Sequence, residues 1–409
     1  MKKIIRLVLI SVFVFTACDL NKTIDEPEIN ISEKTARLLE AENDFGFELF
    51  QLVYASETEH ENIMLSPLSV SLALAMTYNG ANDETKTAME KTLKVYGLTP
   101  DDINKSYFDL VNAIKSLDPK VLLEIANAIF YRNDFVVENN FVNTNRQYYN
   151  AEISALDFNS PQAVNTVNNW VAEKTHDKIK TILDRITPQQ VMFLLNAIYF
   201  KGTWTKEFNS KSTELQLFYP ETDSNIQTET MQRVDTLLYT SNNLFSAVQL
   251  SYGKGSYNMY VFLPNHDKKL QDIVDNLNAD NWETWMKSFS ETQNVDIKFP
   301  KFKYGYEIKL NNVLTEMGMG VAFTSAADFT GINRSGSLNI DYVKHKSFIE
   351  VNEEGTEAAA VTIVAIERNS VEPQKIPFYV NRPFFYAITE KSTGAVLFMG
   401  TVKNPLKSE

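Results

Sequence analysis

The stretch from Asn352 to Thr362, reading NEEGTEAAAVT, constrains this chain more than any other. Two glutamates and a glycine give way to a run of small residues. Drawn as a β-strand, the segment after Gly355 turns Thr356, Ala358, Ala360, Thr362 and Val364 to one face. Glu357, Ala359, Val361 and Ile363 fall on the other. The first face carries no charge and little bulk at its start, which suits a strand that slides between two strands already packed on a core. The residues that follow, Ile366–Lys375 (IERNSVEPQK), are polar, hold a proline and show no periodicity, so they read as an exposed loop. A potential strand continuous with an exposed loop fits a fold that changes state better than a static one.

The rest of the chain supplies the body such a strand would enter. No Pro/Gly/Ser-rich linker, repeat or low-complexity run follows residue 40, so the 409 residues read as one large domain. With 44% hydrophobic and 12% aromatic residues the core can be substantial. Leu38, Leu39, Phe45, Leu49, Leu52 and Val53 recur near helical spacing and predict a helix over 33–55. Ser66-Pro67 opens a second helix through Tyr78, and Ser160-Pro161 a third to about Thr175. Strand-like runs cover 122–131, 191–200, 246–263, 295–299, 377–388 and 395–402. Helices gather in the first half and strands in the second, an α+β order.

Several function classes find no support. The four histidines, His60, His176, His266 and His345, have no metal-ligand spacing, and no metal site is expected. Neither a GxSxG elbow nor a phosphate-binding glycine loop is present, and an enzyme is not expected. Net charge is −13, whereas nucleic-acid binding needs a basic surface.

Several blocks now combine. The 352–362 stretch resembles the hinge of the serpins, inhibitors that trap a protease by inserting a cleaved loop into a β-sheet. Phe378–Ile388 (FYVNRPFFYAI), Asn196–Trp204 (NAIYFKGTW), Asn62–Ser71 (NIMLSPLSVS), His345 and Phe398–Pro405 (FMGTVKNP) resemble further blocks of that family, in family order from about Ala41 to Pro405. The resemblance implies a serpin fold, about nine helices around three β-sheets with an exposed reactive-centre loop. It implies a shutter of Ser66, Ser69, Asn196 and His345 where the central sheet parts, and a breach at Trp204 where insertion begins. It makes Glu353 a charged anchor at the base of a hinge comprising Gly355, Thr356, Glu357, Ala358, Ala359, Ala360 and Thr362.

The family's hinge-to-bond spacing, carried onto Gly355, gives Asn369–Ser370 as the reactive bond. Arg368, the only basic residue of the loop before Lys375, makes Arg368–Asn369 the alternative for a trypsin-like target, and cleavage after Ile366 would suit an elastase-like one. Counting from the C-terminal side points nearer Val371 or Glu372. The function implied is suicide inhibition of a serine endopeptidase, and possible action on cysteine endopeptidases is included. A non-inhibitory serpin serving as a cell-surface binding protein is the alternative. It would carry charge or bulk on the inserting face, where this chain has Thr, Ala, Ala and Thr. No cofactor is expected, and the chain is expected to be a monomer.

The N-terminus bears on location. Lys2, Lys3 and Arg6 precede an apolar run, Leu7–Phe15, too short to span a bilayer. Thr16-Ala17-Cys18 resembles a bacterial lipobox, with residues 1–17 a signal peptide and Cys18 the lipidated residue; Phe15 departs from the usual aliphatic residue there. A flexible acidic tether over 18–38 and a serpin domain over 39–409 would follow, giving an exported lipoprotein on the outer membrane or cell surface. Cys18 is the only cysteine, so no disulfide within the chain braces the domain.

Overall fold

The computed structural model describes residue 29 and residues 31–57, 62–115, 117–221, 224–356 and 374–408. Among them are nine α-helices. The first six are α1 (Glu33–Ser56), α2 (Pro67–Tyr78), α3 (Asp83–Thr92), α4 (Pro100–Ile114), α5 (Asn139–Tyr149) and α6 (Gln162–Lys174). Three short ones follow, α7 (Leu270–Asp275), α8 (Ala279–Ser288) and α9 (Asn311–Leu314). Local chemistry sets many of their ends. Ser66 Oγ accepts the Ser69 amide at 3.3 Å and Pro67 opens α2, while Thr99 and Asp102 form a reciprocal capping box on α4. Helix α1 starts at Glu33 under a Ser32 cap, and Leu38 is fully buried. Residues 33–38 of the expected tether therefore belong to the folded domain: Leu38 and Leu39 sit on its apolar face.

The strands, in chain order, begin with β1 (Ile63–Leu65), β2 (Val121–Arg132), β3 (Glu152–Leu156), β4 (Met192–Thr203) and β5 (Glu214–Phe218). Next come β6 (Ile226–Ser241), β7 (Phe245–Tyr252), β8 (Tyr257–Pro264), β9 (Ser290–Pro300) and β10 (Phe302–Lys309). The last are β11 (Lys344–Asn352), β12 (Gly355–Thr356), β13 (Ile376–Tyr379), β14 (Phe384–Glu390) and β15 (Val396–Val402). One sheet has the order β10-β11-β12-β4-β2-β3. The other runs β1-β15-β14-β8-β7-β6-β9-β13, with β5 on the edge of β6. The third sheet implied by the resemblance is a limb of this second network. Strand β6 pairs with β5 over 226–230 and with β7 over 239–241, and its ladder to β9 shifts register between Asp235 and Leu237. Such a bulge bends a strand, so two sheet surfaces share one long ladder.

The six-stranded sheet is a middle layer. On one face α6 packs Val167, Trp170 and Val171 against β2 and β4, with Trp170 edge-on to Phe130 at 6.1 Å. The main core lies on the other face and joins α1, α2, α4 and the second sheet.

Candidate functional site, a slot in the six-stranded sheet

Strands β4 and β11 run parallel with β12 between them at one end. After β11 the chain turns through Glu353 and Glu354 and re-enters the sheet, so that Gly355 and Thr356 pair with Asn352 and Val351 on one side and Thr203 and Gly202 on the other. Below these two residues, β4 and β11 share no backbone pairing among the described residues. Residues 191–197 and 340–346 instead line a common cavity of about 1200 Å³. Unpaired strand edges are templates for another strand, and this cavity presents two.

The end of the slot is tightly built. Gly355 adopts φ +146°, and a Cβ there would lie 2.1 Å from the Gly202 carbonyl oxygen, so only glycine allows this approach. Trp204 holds the turn from beneath. Its indole Nε1 donates to the Asn352 carbonyl at 3.0 Å and its amide to the Glu354 carbonyl at 2.7 Å. The ring stacks on Tyr252 at 4.4 Å, and the Tyr252 hydroxyl hydrogen-bonds Thr356 Oγ1 at 2.8 Å. Thr356 is 3% exposed, so the small-residue face of the hinge turns inward at its first member.

Glu353 has two partners: it accepts from Thr213 Oγ1 at 2.7 Å and meets Lys301 Nζ at 3.3 Å. Burial works to raise its pKa, but the Thr213 hydroxyl and Lys301 outweigh it and hold the carboxyl below its usual range. Glu354 goes the other way. Burial and the neighbouring Glu207 and Glu353 push its pKa up, and Oε2 finds no hydrogen-bond partner.

Midway along the slot, the structure brings Ser66, Ser69 and His345 together. His345 Nε2 accepts the Ser66 amide at 3.2 Å, and Ser66 Oγ caps Ser69. His345 is 4% exposed, and burial lowers its pKa from 6.5 to about 4, leaving a neutral ring. Two residues further along the same strand, Ser347 Oγ donates to the Met64 carbonyl at 2.7 Å. Asn196 is not hydrogen-bonded to this group. It sits on β4 across the slot, where Nδ2 donates to Asn127 Oδ1 at 2.7 Å and its own Oδ1 is buried without a partner.

Glu357, Ala358, Ala359, Ala360 and Thr362, the bonds Arg368–Asn369 and Asn369–Ser370, His60 and Cys18 all lie outside the described residues. Sequence reasoning missed Thr213, Tyr252, Lys301 and Asn127. Their roles come from contacts across long separations (Tyr252 lies 104 residues before Thr356), and no local pattern marks them.

The family model for serpin (serine protease inhibitor) matches residues 40–405. The chain belongs to the serpin family. Its curated relatives include intracellular coagulation inhibitor 2 of Tachypleus tridentatus, 32% identical over 89% of this chain and 90% of that one. A serpin-like protein of Methanosarcina mazei is 31% identical over 98% of both. Among solved structures, the thermophilic serpin tengpin in its native state matches with a TM-score of 0.83 at 34% identity, covering 92% of this chain and 96% of that one. In this serpin the slot between β4 and β11 opens below Gly355 and Thr356, and Trp204 and Glu353 hold that end.

Proposed function

We propose that this serpin inhibits a serine endopeptidase by suicide, and that the slot between β4 and β11 receives the cleaved loop. The observation that carries this reading is the seating of Gly355 and Thr356 between two strands that are unpaired with each other further along. The protease's serine oxygen attacks the carbonyl carbon of residue 369, or 368 in the alternative. The peptide C–N bond breaks, the amine of the next residue takes a proton and leaves as a new N-terminus, and an acyl-enzyme ester remains. Freed at that end, the segment after Thr356 enters the slot and carries the bound protease with it. A trypsin-like target fits Arg368 and an elastase-like one fits Ile366.

Attachment through a lipidated Cys18 on the outer membrane or cell surface is part of the same proposal. It rests on the sequence before the domain and would hold a monomeric inhibitor where exogenous proteases arrive.

The test mixes the protein separately with trypsin-like, elastase-like and subtilisin-like proteases. An SDS-stable complex with release of a C-terminal peptide beginning at Asn369 or Ser370 is the expected result. Clean cleavage by every protease with no complex would overturn inhibition and favour the binding-protein reading.

A further inference from the structure

The second sheet carries a cleft that the proposed inhibition does not use. It opens where β5, β6, β9 and β13 meet, and its volume is about 310 Å³. That lies at the lower end of the ~300–1,000 Å³ range of small-molecule pockets. Strand pairing builds it. Gln216 lies opposite Thr228, Gln232 opposite Lys298, and Lys298 opposite Tyr379, so these side chains share one face. Ile297, Phe299 and Phe378 occupy the opposite face and are buried in the main core.

The floor and one end of the cleft offer hydrogen-bond donors. Thr228 and Thr230 are 3% and 5% exposed. Thr230 Oγ1 donates to the Thr228 carbonyl at 3.2 Å, whereas the Thr228 hydroxyl has no partner among the described residues. The chain leaving β5 closes the end, where the Tyr219 amide donates to the Asn381 carbonyl at 2.8 Å. Asn381 Oδ1 accepts from Arg382 Nη1 at 3.1 Å, so its Nδ2 is left as a donor without a partner among the described residues.

The wall carries a cation. Lys298 Nζ donates to Gln216 Oε1 at 3.3 Å and lies 4.8 Å from the centre of the Tyr379 ring. It has no ion-pair partner among the described residues. Asp296, two residues away on the same face, is engaged instead by the Tyr379 hydroxyl at 2.8 Å. An amide oxygen and a ring face compensate a half-buried ammonium only in part. One ammonium with neutral donors suits a singly charged carboxylate; a phosphate calls for the forked donors of arginine. At the mouth, Tyr219 and Leu217 are 43% and 47% exposed and give an apolar edge for a flat body.

We propose that this cleft binds a small organic monocarboxylate with a flat apolar body. The carboxylate pairs with Lys298, the Thr228 hydroxyl and the Asn381 amide serve as neutral donors beside it, and the body rests against Tyr219 and Leu217. The net charge of −13 does not forbid such a ligand, because surface charge is screened beyond about 8 Å at physiological salt. The assignment depends neither on the loop nor on its insertion.

The experiment titrates the intact full chain with phenylacetate, with its neutral counterpart phenylacetamide and with inorganic sulfate, following ligand line broadening by NMR. Phenylacetate should bind one-to-one with a Kd on the order of 1 mM, and the other two about tenfold more weakly or worse. Saturating phenylacetate should also raise the melting temperature. Lys298→Met should weaken phenylacetate about tenfold, and the isosteric Thr228→Val about threefold, each at an unchanged unfolding midpoint. If the lysine variant fails to fold, Thr228→Val alone carries the test. Three results would overturn the assignment: no saturable binding to wild type, sulfate or phenylacetamide binding as tightly as phenylacetate, or unchanged affinity in the folded variants.

Discussion

Two buried titratable side chains respond to pH in opposite directions. Glu42 on α1 is 3% exposed; Tyr107 donates to its Oε2 at 3.0 Å, and Oε1 has no partner. Burial raises its pKa from 4.5 to about 7, against the nearby Ser71 and Tyr107 hydroxyls, which work to lower it. A carboxyl raised on folding contributes stability that is complete below 4.5 and is lost as pH climbs through 7, about 3 kcal/mol over that window. Replacing Glu42 by Gln keeps the acceptor for Tyr107 and removes the charge. At pH 8, E42Q should unfold at higher denaturant than wild type, by an amount worth about 1–3 kcal/mol; an equal or lower midpoint would refute the assignment. His345 has the opposite sign. Its pKa is depressed to about 4, so its contribution is present above 6.5 and is lost as pH falls toward 4. Between 6.5 and 4.5 the two effects nearly cancel in wild type. E42Q should therefore expose an acid weakness, losing about 3 kcal/mol across that interval in a denaturant series, where wild type stays flatter.

At the scale of single elements, the proposed insertion would depend on the small face that begins at Thr356. Extended in the register of β12, an inserted segment would bring residue 358 opposite Phe200 on β4 and Ile349 on β11, both of which are buried. A long cation has no room or partner between them. Ala358→Arg should therefore leave the intact protein's unfolding midpoint unchanged and turn the inhibitor into a substrate. On gels with its target, the covalent band should fall at least tenfold while the cleaved band grows; an undiminished complex would count against the insertion path. Of this face only Thr356 lies among the described residues, and its inward side was legible because a strand's period of two is local. So were the bounds of α2, since Ser66 caps it and Pro67 begins it. The run over 246–263 read as one strand, yet it is the β7–β8 hairpin. Gly253 there takes φ +55° and packs a carboxylate of Asp118, a partner no periodicity reveals. The anchor of Glu353 was legible as a charge needing a partner. That partner, Lys301, follows β9, and only the fold brings it within 3.3 Å.

On the scale of the whole molecule, the central sheet is a structure with a strand's worth of bonding left unmade. Two residues of the hinge are paired, and the edges beneath them border a cavity of about 1200 Å³. Strand β4 extends from Thr203 to Met192, so a segment inserting as proposed, in the register set by Gly355 and Thr356, would find partners on β4 as far as Ile366. Each backbone hydrogen bond gained contributes on the order of 1 kcal/mol net. An inserted segment of this length therefore adds roughly 10 kcal/mol before side chains are counted. If insertion follows cleavage as proposed, the intact fold is held by a kinetic barrier rather than by its depth, because the chain continues into β13 and ties both ends of the segment. Strand β13 is paired in parallel with β9, so the chain beyond the loop is committed to the second sheet. Cutting anywhere between Ile366 and Glu372 releases that constraint without altering composition. The cleaved but unseparated protein should melt on the order of 20 °C above the intact one, and Ala358→Arg should lose most of that gain. A calorimetric scan decides the matter: equal melting temperatures before and after cleavage would mean that the slot does not accept the loop, and the fold would then serve binding rather than inhibition.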